Sequence, residues 1–197
     1  MNTLWTFGDS WTEGCQWDPN EGEQVFYKET FSYIVAKKLN YNLVNLGIGG
    51  FGNNAIYRKV NTYLPNFNKN DVIIITWTTP YRNERTTSIT ELPKYIIKLE
   101  EKLKGYKVIM TQAFNPLFGY DYIVDKINPK TFIEWGKPNN TMLDLITNNW
   151  LKDNQNNVFL NKSIGIPPQF IERFAKDKKH PGELGHKLIA DKILEYL

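Results

Sequence analysis

The chain has 197 residues, 41% of them apolar, which suits one domain with a single sizeable core and makes a second domain the poorer reading. Its 24 basic and 21 acidic residues leave a formal charge of +3, too even a balance to favour nucleic acid or an anionic membrane as partner. One cysteine, Cys15, excludes an internal disulfide, and two histidines with one cysteine leave too few soft ligands for a closed structural zinc site.

No run approaches the ~18 apolar residues a spanning helix needs, and the N-terminus lacks the pattern of a signal peptide. The expectation is a soluble, unexported, cytoplasmic chain in which the triplets Asn139-Asn140-Thr141 and Asn161-Lys162-Ser163 carry no glycan.

Residues 3–14, TLWTFGDSWTEG, open the chain with a short apolar, β-prone run from Thr3 to Phe7 that empties directly into Gly8, Asp9 and Ser10. Ser10 would stand at the carboxyl end of a strand, where open α/β sheets bind their ligands. By itself the tripeptide favours a plainer reading, in which Asp9 or Ser10 only caps the next helix.

Residues 24–39 place Val25, Phe26, Phe31, Ile34, Val35 and Leu39 at helical spacing, predicting an amphipathic helix over that whole range. YNLVNLG (41–47) is a second strand leading into GIGGFGNN. A helix follows from Ala55 to Leu64, with Asn53 or Asn54 as its cap. DVIIITWT (71–78) is a continuous β-branched run of the kind buried on both faces of a parallel sheet, and is the predicted central strand.

A helix over 90–104 and a strand over 106–114 come next, then an aromatic-rich stretch at about 113–140 carrying Phe114, Phe118, Tyr120, Tyr122, Phe132 and Trp135. A connection that long in a compact domain is usually functional or poorly ordered. A helix at 141–153, a weak strand at 157–160 and a closing helix complete the reading. Pro181 stands at the first position of that last helix, and Leu184, Leu188, Ile189, Ile193 and Leu197 form its stripe. There is no internal repeat. Alternating strands and helices imply one α/β domain over 1–197, with a mainly parallel sheet of about five strands, helices on both faces and an insertion at about 113–140.

DKKHPGELGH (177–186) sets Asp177 and His180 three residues apart just before the last helix. A serine hydroxyl is a weak nucleophile at neutral pH. It needs a neutral imidazole to take its proton and a carboxylate to hold the tautomer, and this pair could supply both. The bland alternative assigns Asp177 to a solvated charge run and His180 to a cap.

FGDS after the first strand, NLGIGG after the second and DKKHPGELGH before the terminal helix together resemble, in order and separation, the GDSL or SGNH family of serine hydrolases. The resemblance covers nearly the whole chain through three short motifs. It implies a three-layer flavodoxin-like fold, with Ser10 as nucleophile, His180 as base and then acid, and Asp177 as its orienting partner. It further implies an oxyanion hole from the Ser10 and Gly50 N–H groups and a side chain after the third strand; losing one such donor typically costs roughly a hundredfold or more.

The third donor departs from the family pattern, which has an asparagine in a Gly-x-Asn-Asp turn where this chain has TWTTPYRNE. Aligned from Val72, Thr79 occupies the asparagine position; Asn83 or Arg82, or a hole of two donors, are the alternatives.

Gly47, Gly49 and Gly52 also satisfy the dinucleotide fingerprint, but after the second strand, and the acidic residue that follows, Asp71, lies at the wrong end of the next strand to bind ribose. Trp11, Trp77 and Arg82 are candidate substrate contacts, with Trp17 nearby, although tryptophan is as often core. Cys15 reads as a small packed hydrophobe, His186 as a surface or supporting residue, and Lys176, Lys178 and Lys179 as a solvated run.

The reading is therefore a serine esterase removing acetyl or another short acyl group from a carbohydrate or small metabolite. It implies a small-molecule or carbohydrate ester as partner and no metal or organic cofactor. A catalytically weak binding module on the same fold and an acyltransferase using the same serine are the alternatives.

Overall fold

A computed structural model of the chain describes residues 1–78, 91–113, 141–147, 168–177 and 179–197, apart from the Trp17 side chain. The strands are β1 (Thr3–Phe7), β2 (Cys15–Asp18), β3 (Glu23–Phe26), β4 (Asn42–Asn45), β5 (Val72–Trp77) and β6 (Lys107–Gln112). The helices are α1 (Ser10–Glu13), α2 (Phe31–Leu39), α3 (Asn53–Tyr63), α4 (Glu91–Lys102), α5 (Met142–Ile146) and α6 (Glu183–Leu194).

Among these residues four strands form one parallel sheet in the order β4-β1-β5-β6. The chain leaves β1 for β4 on one side and then crosses to β5 on the other. The carboxyl ends of β1 and β5 thus flank the switch point where such sheets form their binding crevice.

Side-chain alternation along the strands divides the apolar residues between two faces. Val72, Ile74, Leu4 and Ile109 pack with Phe31 and Val35 of α2, Met142 and Ile146 of α5, and Ile189 and Ile193 of α6. Ile73, Ile75, Trp77, Trp5, Phe7 and Met110 face the other way, onto Ile56 and Val60 of α3 and Leu92, Ile96 and Leu99 of α4. Every residue of β5 is buried, as its unbroken β-branched run predicts, and each buried isoleucine contributes about 1.5–3 kcal/mol. Among the described residues no helix is long and apolar enough to cross a membrane.

Three expectations are corrected. The first residues of the proposed 24–39 helix, 24–26, are strand instead: β3 pairs antiparallel with β2 to make a hairpin, residues 27–30 are irregular, and helix starts only at Phe31, where the Thr30 side chain accepts from Tyr33 N–H. Helix α3 begins at Asn53 behind Gly52, without a side-chain cap, because the Asn53 amide is used elsewhere. Pro181 lies outside α6 and forms an antiparallel bridge with Phe174. The expected strand at 157–160, residues 148–153 of the 141–153 helix and residues 114–140 of the aromatic stretch lie outside the described residues.

Candidate active site

Phe7, Gly8 and Asp9 carry the chain from β1 into α1, so that Ser10 begins a single helical turn at the sheet's switch point. Asp9, fully buried, accepts from Trp11 N–H at 3.0 Å and so shapes the turn. A helix start leaves the Ser10 N–H without an intrahelical acceptor.

From the far end of the chain, the loop before α6 returns to the same crevice. His180 Nε2 lies 2.9 Å from Ser10 Oγ, and His180 Nδ1 lies 2.5 Å from Asp177 Oδ2. The other Asp177 oxygen accepts from the backbone N–H groups of Lys179 at 2.9 Å and His180 at 3.0 Å, so the carboxylate folds the loop as well as facing the ring. The loop is pinned by bonds from Ala175 N–H to His180 C=O and from Gly182 N–H to Arg173 C=O. A methyl on Gly182 would stand 2.6 Å from the Phe174 carbonyl oxygen, so this approach requires glycine.

Lys176, next to Asp177, reaches the hairpin and pairs with Asp18 at 2.7 Å. That ammonium, with Asn20 N–H, holds the Asp18 carboxyl below its ordinary range. Lys176 is thus committed to a tether between the hairpin and the His180 loop. Asp177 and His180 are paired with each other within that loop.

The glycine loop after β4 forms the remaining wall. Phe51 N–H donates to Ile48 C=O at 3.1 Å, closing a turn with Gly50 at its third position and φ of +84°, a left-handed conformation that glycine adopts without a steric penalty. A methyl on Gly49 would lie 3.7 Å from Ser10 Cβ, so this loop and the serine turn are in near contact.

Two asparagines the sequence did not single out as site residues hold these pieces. Asn45 donates to Thr12 C=O at 2.8 Å and accepts from Gly47 N–H and Thr6 Oγ1. Asn53 makes paired bonds with Thr78, accepting from its N–H at 2.9 Å and donating to its C=O at 3.0 Å, which fixes the end of β5. Thr79, Arg82 and Asn83 lie outside the described residues.

The two tryptophans expected at the substrate are corrected. Trp77 is fully buried in the core under α3 and α4, and Trp11, 3% exposed, packs in the opposite core with Phe31 and Ile189. Each indole is drawn into the apolar layer its strand or turn position faces.

His186 is not a surface residue either. It is buried on α6, accepts from Phe31 N–H through Nδ1 at 3.3 Å and stands against the Tyr27 and Phe31 rings. Burial, and secondarily His180, lower its pKa to about 3, so it is neutral at neutral pH. Cys15 is buried as expected, and burial, then the Glu13 and Asp177 carboxylates, push its thiol up, away from the reactive thiolate. Asp71 accepts from Thr3 N–H, Trp5 Nε1–H and Asn68 N–H, each at 2.9 Å, so its carboxylate is occupied by the fold. Among the described residues no acidic, histidine or cysteine cluster could hold a metal ion.

No protein-family model and no curated protein sequence matches the chain. Solved structures do. A lipolytic protein of the G-D-S-L family from Desulfitobacterium hafniense aligns over 100% of both chains at 16% identity and a TM-score of 0.55. The chain has the SGNH-hydrolase fold. A G-D-S-L family member from Veillonella parvula aligns over 99% of this chain and 97% of its own, at 17% identity and a TM-score of 0.52. A carbohydrate acetylesterase from Sinorhizobium meliloti aligns over 100% of both chains at 15% identity and a TM-score of 0.52. In this fold's terms Ser10 follows the first sheet strand, the Gly47–Gly52 loop follows the second, and His180 precedes the last helix.

Proposed function

We propose that the chain is a serine esterase acting through an acyl-serine, with residues 1–197 forming one domain that carries an insertion at about 113–140. The observation that carries this reading is the unbroken hydrogen-bonded path from Ser10 Oγ through His180 to Asp177, contributed by segments 170 residues apart in sequence.

In the first step His180 Nε2 takes the Ser10 proton as Oγ bonds to the ester carbonyl carbon, and the carbonyl π pair moves onto oxygen. Asp177 holds the proton on Nδ1 and stabilises the imidazolium. The tetrahedral centre then collapses, the carbon–alkoxy bond breaks, and the alcohol leaves with the proton from Nε2. Water repeats the sequence on the acyl-serine, releasing the acid and restoring Ser10. The negative oxygen is held by the Ser10 and Gly50 N–H groups, with the Thr79 hydroxyl as third donor. Such preorganised donors are the largest contribution to acyl-transfer catalysis of this kind.

The substrate class we assign is a short acyl ester, acetyl above all, of a carbohydrate or small metabolite. Support comes from structural neighbours described as a carbohydrate acetylesterase and a carbohydrate esterase. The test is hydrolysis of a short-chain ester by the wild type and by Ser10→Ala. Loss of turnover in a folded variant is expected; activity that survives the substitution overturns the role of Ser10.

A further inference from the structure

Glu13 has no place in the acyl-transfer scheme, yet its carboxylate bonds the glycine loop that stands against the Ser10 turn. It stands one helical turn after Ser10, and Oε2 accepts from Gly49 N–H at 2.6 Å, a short charge-assisted bond between α1 and the glycine loop. Gly49 is the second residue of the turn closed by Phe51 N–H and Ile48 C=O. Gly50, the third, has φ of +84°, while Gly49 has no positive φ. That combination is a type II turn.

Types I and II differ by a flip of the peptide between the second and third residues, so the turn type decides the side to which Gly50 N–H points. Two other bonds, Ile48 N–H to Gly8 C=O at 3.1 Å and Asn45 Nδ2–H to Thr12 C=O, tie the loop to the serine turn upstream of that peptide. Glu13 grips the turn itself, one residue before the amide that matters.

We infer that Glu13 is a positioning residue: by anchoring Gly49 N–H to the turn that carries Ser10, it holds the Gly50 N–H aimed at the oxyanion. The inference rests on the esterase reading. It follows that Gly49 N–H, committed to Glu13, is not itself an oxyanion donor. What the site needs at 13 is a hydrogen-bond acceptor of glutamate length, not a charge.

The test compares Glu13→Ala and Glu13→Gln with the wild type in short-chain ester kinetics, fluorophosphonate labelling and thermal melting. Glu13→Ala is expected to lower kcat about 10- to 100-fold, short of losing an oxyanion donor outright, and to slow labelling in parallel. KM should stay within about twofold, because the ground-state carbonyl does not need the amide's final aim. The melting temperature should move by no more than about 3 °C. Glu13→Gln, whose amide oxygen still accepts from Gly49, should recover to within about threefold of the wild type. A Glu13→Ala enzyme with wild-type kcat overturns the inference, as does a glutamine variant as slow as the alanine one. A wild type that is labelled normally while Glu13→Ala is unaffected overturns this inference alone; a folded wild type that is not labelled overturns the esterase reading with it.

Discussion

Replacing Asp177 by asparagine separates its two tasks. Oδ1 accepts two backbone N–H groups and Oδ2 faces His180 Nδ1 at 2.5 Å. An asparagine that keeps the loop folded must place its carbonyl oxygen at the Oδ1 position, which turns its NH₂ toward the ring. Nδ1 then has to accept, the ring proton moves to Nε2, and the nitrogen 2.9 Å from Ser10 Oγ becomes a donor that cannot take the serine proton. Flipping the amide restores the active tautomer at the expense of two backbone hydrogen bonds, about 2–3 kcal/mol before the repulsion of facing donors is counted. The active arrangement is thereby held to a few per cent of molecules or fewer. The expected loss in kcat/KM for a short-chain ester is about 10²–10⁴-fold, the upper end being the effect of the same change in a serine protease. Melting temperature, followed in parallel, should stay close to that of the wild type. An asparagine variant within about tenfold of wild-type activity would refute the reasoning, since it would mean Asp177 does not set the tautomer.

Two further predictions concern buried groups. Because burial lowers the His186 pKa from its ordinary 6.5 to about 3, the unfolded chain takes up a proton that the folded one refuses. The resulting stability is fully present above pH 6.5 and falls by about 1.4 kcal/mol per pH unit as pH drops toward 3. His186→Asn keeps an acceptor for Phe31 N–H and does not titrate, so its melting temperature should fall less steeply over that window; parallel slopes would refute the assignment. For Asp71, burial raises the carboxyl pKa, but hydrogen bonds from Asn68, Trp5 and Thr3 outweigh it, and the net shift is downward from 3.8. Its contribution is therefore complete above that value and lost as pH falls through the lower folded pKa, an acid window that opens near the lower end of that of His186. Asp71→Asn leaves at least one buried donor unanswered and should cost about 2–4 kcal/mol in urea unfolding at neutral pH, without changing the ester kinetics of the folded enzyme.

The four strands of the parallel sheet were legible because each contains apolar, strand-prone residues, and β5 in particular is β-branched from Val72 to Thr76. The β2–β3 hairpin was not: Val25 and Phe26 fall by chance on the same helical stripe as Phe31 and Val35, and a two-stranded ribbon outside the main sheet leaves little alternation to read. Pro181 fits a helix start by type, but its bridge to Phe174 is a tertiary pairing with no local signal. Ser10, Asp177 and His180 were singled out from the residues and family motifs, and the fold sets His180 within hydrogen-bond distance of both Ser10 and Asp177. The residues that hold the site were missed for a physical reason. Asn45, Asn53 and Glu13 each bond a backbone group of another segment, and such contacts impose no periodicity. Trp11 and Trp77 failed as substrate contacts because an indole at the end of a buried strand or turn gains more in the core than in a cleft.

The central claim is that Ser10 is an activated nucleophile, and the most direct measurement is to treat the folded protein with a fluorophosphonate and map the adduct by peptide mass. The expected result is a single adduct on the peptide containing Ser10, absent from Ser10→Ala and slowed by several orders of magnitude in His180→Ala. A folded wild type that stays unmodified, or one that is modified elsewhere while Ser10 remains free, would contradict the account.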